Sequence, residues 1–122
     1  MTFGDAVSSG FDHYTKFDGR ANRPAFWYWV LFEIAVLVVA SIVDSIIGAR
    51  IFYIIAALGL VLPGLSVSIR RLHDTGRSGW WILIGLIPII GTIILIVFYA
   101  SEGDPGENEY GPPMSDPVPA TA

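Results

Sequence analysis

Residues 80–100 read WWILIGLIPIIGTIILIVFYA, and two further runs share that character: FWYWVLFEIAVLVVASIV at 26–43 and IFYIIAALGLVLPGLSVSI at 51–69. Each comes close to the roughly 20 apolar residues that cross a hydrocarbon core of about 30 Å. Backbone polar groups in lipid must be satisfied within the segment, so a helix is the expected state of all three. Helices apolar on every side cannot hide all of those sides in one another within so short a chain, which argues against a soluble bundle. The expectation is an all-α polytopic membrane protein with three transmembrane helices.

The rest of the sequence agrees with that reading. A chain of 122 residues fits one domain, and 53% hydrophobic against 15% charged residues, with a mean hydropathy of +0.60, is too apolar for an ordinary soluble one. The net charge is −4, with bases at Lys16, Arg20, Arg23, Arg50, Arg70, Arg71 and Arg77 and an acidic tail bearing Glu102, Asp104, Glu107, Glu109 and Asp116. Arginines placed only beside apolar runs in a chain of pI 4.8 argue against the basic stripe of a nucleic-acid-binding protein. Without cysteine there is no disulfide, thiolate nucleophile or Cys-ligated metal. No cleavable signal precedes Phe26, so the run at 26–43 is expected to act as an uncleaved anchor.

Lysines and arginines orient membrane segments, because cytoplasmic loops hold an excess of them. Lys16, Arg20 and Arg23 precede the first run, Arg50 alone follows it, Arg70, Arg71 and Arg77 follow the second, and none follows the third. Three spans then place the N-terminus in the cytoplasm and the C-terminus outside a bacterial inner membrane. Trp27, Tyr28, Trp29, Trp80, Trp81 and Tyr99 fit the aromatic belts at the membrane surfaces. Upstream, Phe3, Val7, Phe11 and Tyr14 recur at helical spacing and predict a short interfacial helix over 3–17. The membrane domain is expected to cover 1–112, followed by a disordered, acidic, Pro-rich tail at 113–122.

Two segments concentrate polar side chains, GRANRPAFWYW at 19–29 and RRLHDTGRSGWW at 70–81, and the topology brings them to one interface. Arg20, Arg23, Arg70, Arg71 and Arg77 are expected to face anionic headgroups, each worth about 1 kcal/mol of surface attraction, and arginine grips phosphate bidentately. With His73 and Asp74 they make a basic face expected to engage anionic lipid, a phosphate ligand or a membrane protein partner, including a second copy of the chain. A plainer reading gives the arginines a topological role and lets Asp74 accept from Arg70, Arg71 or Arg77 to fold the loop. Acid–base catalysis by His73 and Asp74 on a lipid phosphate is an alternative, but it needs a third, orienting group that the sequence does not identify. A zinc site needs three or four ligands, and His13 and His73 with scattered carboxylates do not supply them. No catalytic residue, metal or cofactor is assigned.

Glu33 lies about 10 Å into the first run, where an ionisable group should be protonated, paired or turned to a polar interior. Arg70, Arg71, Ser66 and Ser68 are its candidate partners. Together with Pro63 and Pro88 among their neighbouring glycines, Glu33 supports a further alternative, an oligomeric channel or transporter component.

Three segments carry a family resemblance: FDGRANRPAFWYW at 17–29, SIRRLHDTGRSGWW at 68–81 and GDPGENEYGPP at 103–113. Over roughly Phe17 to Pro112 the chain resembles the domain of unknown function 805 family of small bacterial inner-membrane proteins. That resemblance implies a polytopic membrane domain with no assigned reaction, cofactor or substrate.

Overall fold

The computed structural model describes residues 1–114, so all but Pro113 and Met114 of the expected disordered tail lies outside the described residues. Among these residues the fold is all-helical, apart from one antiparallel bridge between Asn108 and Gly111. Helix α1 spans Phe3–Asp12, α2 Arg23–Ile47 and α3 Ile51–Asp74; a 3-10 segment at Gly79–Leu86 and helix α4 at Ile90–Ala100 complete it.

A capping box starts α1: the Thr2 hydroxyl accepts from Asp5 N, and Thr2 N donates to the Asp5 carboxylate. The helix ends at Asp12 rather than continuing to residue 17. Its exit turn is held against α3, because the Ser66 hydroxyl engages the carbonyls of His13 and Lys16. Gly10 lies on the Trp29 ring where no larger residue fits, and Phe11 meets Trp29 and Phe32 edge to face.

Asn22 caps α2 by accepting from Ala25 N, and Pro24 suits the first turn. Left-handed Gly48, at φ 74°, ends the helix. Asp44 then joins α2 to α3: its two oxygens accept from Phe52 N and Tyr53 N, each at 2.9 Å, placing a carboxylate on the positive end of α3. Helix α3 passes through buried Pro63 and continues beyond the expected boundary at 69. Arg70 to Asp74 are therefore its last turn and not a loop, and Gly76 at φ 77° redirects the chain.

The third apolar run departs most from expectation, for it is not one helix. Ile87, the residue before Pro88, is extended at φ −84°, ψ 114°, as proline requires of its predecessor. Ile89 sits at φ 66°, ψ −66°, and Ile90 N donates to Pro88 O at 2.7 Å, which is a strained γ-turn. The chain reverses there. Gly91 packs on the Ile84 carbonyl, Gly85 faces Leu95, and Trp81 meets Phe98 edge to face at 5.5 Å. Each arm is about 16 Å long, half the thickness of a hydrocarbon core.

Two helices, α2 and α3, are thus long and apolar enough to cross a membrane, in place of the three expected. Only 11% and 22% of their most apolar stretches are buried, which is not how the core helices of a soluble protein sit. The core that does form, from Phe26, Trp29, Leu60, Val67, Leu72, Leu95 and Tyr99, occupies the end where α1 and the hairpin pack. Because the hairpin returns there, residues 101–111 lie beside residues 19–21 and 70–74. The chain after α4 thus returns, as far as Gly111, to the end that carries Arg20 and Arg70, whereas a continuous third helix would carry it to the other end.

Candidate functional site

The last turn of α3 presents four polar side chains in five residues, all buried: Arg70, Arg71, His73 and Asp74. Helical spacing turns Arg71 and Asp74 to the same side. The first loop adds Arg20, 5% exposed, and the chain after α4 adds a row of backbone carbonyls.

Asp74 is the centre. One oxygen accepts from Arg20 Nε at 2.9 Å and the other from Arg71 Nη1 at 2.5 Å. Arg20 goes on to donate to the carbonyls of Gly106, Gly111, Asp104 and Asp74 itself. Arg71, fully buried, donates to the carbonyls of Tyr99, Ser101 and Ala21. Those of Tyr99 and Ser101 belong to the end of α4, where helix geometry leaves acceptors unmet. Three segments distant in sequence are therefore tied by two guanidinium groups and one carboxylate. Gly103 lies so close to Asp74, and Gly76 to Asp104, that a side chain at either would collide with carboxylate oxygen.

Arg70 donates from Nε to the Ser66 hydroxyl, and its carbonyl accepts from Ala21 N; its buried Nη2 has no partner among the described residues. The His73 ring contacts the Gly19 carbonyl through Nδ1 at 2.9 Å and stacks on Tyr110, centroids 4.0 Å apart. Loss of water around Tyr110 raises its phenol above the ordinary value, and hydrogen bonding and charge from Glu109 add to the effect. Asn108 completes the arrangement by donating to the His73 carbonyl and to Asp104.

The remaining sequence candidates stand apart. Arg23 is exposed and donates from Nε to the Ser101 carbonyl; Arg77 lies 4.0 Å over the Phe98 ring. Both are thus at the C-terminal end of α4. Glu33 meets neither Arg70 nor Arg71 in hydrogen-bond contact. Its partner is Trp29 Nε1 at 2.8 Å, and its carboxyl rests on the backbone of Gly64, where α2 and α3 approach closely. No group of three His, Cys, Asp or Glu side chains suited to a metal occurs among the described residues. Asp104, Asn108 and Tyr110 were not singled out by sequence reasoning. Their signal was the cluster of turn residues in GDPGENEYG, which marks a specific fold-back as readily as a solvated tail.

Comparison with known proteins matches residues 14–112 to the family described as Protein of unknown function (DUF805). Inner membrane protein YhaH of Escherichia coli K12 is 42% identical over 106 residues, covering 82% of this chain and 88% of its own. Inner membrane protein YhaI of the same organism is 40% identical over 101 residues, covering 81% and 86%. Uncharacterized protein YiiR is 30% identical over 130 residues, covering 83% and 87%. No solved structure matches the chain.

Proposed function

This chain belongs to the DUF805 family of proteins of unknown function, and from that premise we propose that it is a non-enzymatic inner-membrane protein whose cytoplasmic end binds anionic lipid headgroups. In this reading α2 and α3 cross the bilayer and residues 79–100 enter and leave it on one side. The end carrying Lys16, Arg20, Arg23, Arg70, Arg71 and Arg77 faces the cytoplasm, opposite Arg50, as the excess of bases favours.

One observation carries the headgroup assignment: the bases at that end divide into two sets. Arg20, Arg70 and Arg71 are buried, while Arg23 and Arg77, one exposed and the other partly so, flank the end of α4. The buried set supports a structural role, and the second set supplies the sites for phosphate. The fixed pairing of Asp74 with two guanidinium groups favours a non-enzymatic role over acid–base work with His73, since a carboxylate so held is poorly placed to relay a proton.

Native mass spectrometry from mild detergent tests the reading. The wild type should retain phosphatidylglycerol in preference to phosphatidylethanolamine, and Arg23→Gln with Arg77→Gln should cut that retention by about tenfold while leaving the fold intact. Equal retention in both proteins would reject the headgroup site.

A further inference from the structure

A pocket of about 460 Å³ lies beside the last turns of α3, where the first loop meets the 3-10 segment. Its walls are apolar and include Phe17, Leu65, Ile69, Trp80 and Leu83. Two polar side chains line it, His73 and Ser78, and no Lys or Arg does. A volume of this size suits the polar end and first chain segment of a lipid.

His73 is 8% exposed, and the network described above uses only one edge of its ring. The Gly19 carbonyl at Nδ1 can only accept, so Nδ1 carries a hydrogen, and in the imidazole tautomer that donates there Nε2 is an acceptor. Stacking on Tyr110 fixes the ring plane. Gly79 flanks Nε2: a methyl group there would come within 3.4 Å of the nitrogen and would press on Ile69, so the missing side chain keeps the approach open. The Ser78 oxygen accepts from Trp80 N at 3.3 Å, which leaves the hydroxyl hydrogen to donate.

The geometry points to a binding site for a membrane amphiphile with an un-ionised hydroxyl head, of the diacylglycerol class. Its hydroxyl donates to His73 Nε2 and accepts from Ser78, and its acyl chain lies along Phe17, Leu65 and Leu83. A phosphate head would enter apolar walls with no cation among the lining residues, at a desolvation cost nothing there offsets. A lone hydroxyl needs one acceptor and one donor, and both are present. This assignment rests on the proposed placement of this end of the molecule at the membrane surface, but not on Arg23 or Arg77.

The test titrates the full-length protein in detergent with 1,2-dioctanoylglycerol, beside octanoic acid and dioctanoyl phosphatidylglycerol. Three proteins are compared: wild type, His73→Phe, and Leu83→Trp, which fills the pocket from a half-exposed position outside the core. Wild type should bind one dioctanoylglycerol, and each variant should weaken binding by at least about tenfold. Binding should also shift the ¹⁵N resonance of His73 Nε2. Should His73→Phe fail to fold, Leu83→Trp decides. Equal affinity in wild type and Leu83→Trp, absence of dioctanoylglycerol binding, or a tighter His73-dependent site for octanoic acid or phosphatidylglycerol would each overturn the assignment. The Arg23 and Arg77 double variant should bind dioctanoylglycerol normally, which separates this site from the headgroup site.

Discussion

Asp74 takes Arg20 on one oxygen and Arg71 on the other, and both guanidinium groups continue to carbonyls of the segment after α4. Removing its charge leaves two buried cations without their counter-ion, a change that costs about 3–5 kcal/mol when one partner of a buried pair is lost. Asp74→Asn should therefore lower the unfolding free energy in detergent by roughly that amount, and limited proteolysis should cut first between residues 101 and 111. An unchanged melting curve would show that the pairing is not what holds the segment down. The sequence named Arg20, Arg71, His73 and Asp74, and offered Arg71 among the partners of Asp74, but it paired neither Arg20 with Asp74 nor either arginine with the segment after α4. An arginine paired with tail carbonyls and one facing a phosphate are the same letter, and only the returning chain distinguishes them.

At the scale of elements, α1 shows how local chemistry sets an end. Hydrogen bonds from the Thr2 backbone and side chain hold the Asp5 carboxyl below the ordinary carboxylate value. A carboxyl depressed in the folded state adds stability that is present above its unfolded value and lost as pH falls through the folded one. Amide hydrogen exchange in residues 3–12 should therefore quicken, relative to α2, as pH falls below the ordinary carboxylate range, and Asp5→Asn should remove that dependence. Helices α2 and α3 were legible because long apolar runs leave the backbone no other partner than itself. Residues 80–100 have the same composition, yet a γ-turn at Ile89 divides them. Pro88 alone does not force this, for Pro63 sits inside continuous α3. The difference is that Gly91 lets the second arm pack on the first and Arg71 satisfies the carbonyls at its far end. Both are tertiary contacts that hydropathy along a single run does not encode.

For the whole molecule, the hairpin decides topology. If residues 79–100 enter and leave one face, both termini lie on the cytoplasmic side. A fluorescent protein that matures only in the cytoplasm should be bright when fused before Met1 or after Ala122, and a cysteine replacing Arg50 should be labelled from outside by an impermeant reagent. Alkaline phosphatase activity from a fusion after Ala122 would instead require the third run to cross, with the hairpin opened.

The same hairpin has a consequence for the lipid around it. Helix α1 and both hairpin arms pack at one end of α2 and α3, and each arm, about 16 Å long, is less than half the length of α2. Embedded as proposed, with α1 at the surface, the protein places four segments in one leaflet, α2, α3 and the two hairpin arms, and two in the other. It takes more area from the cytoplasmic monolayer than from the opposite one, so a bilayer crowded with it is under lateral asymmetry and relaxes by bending toward the narrow side.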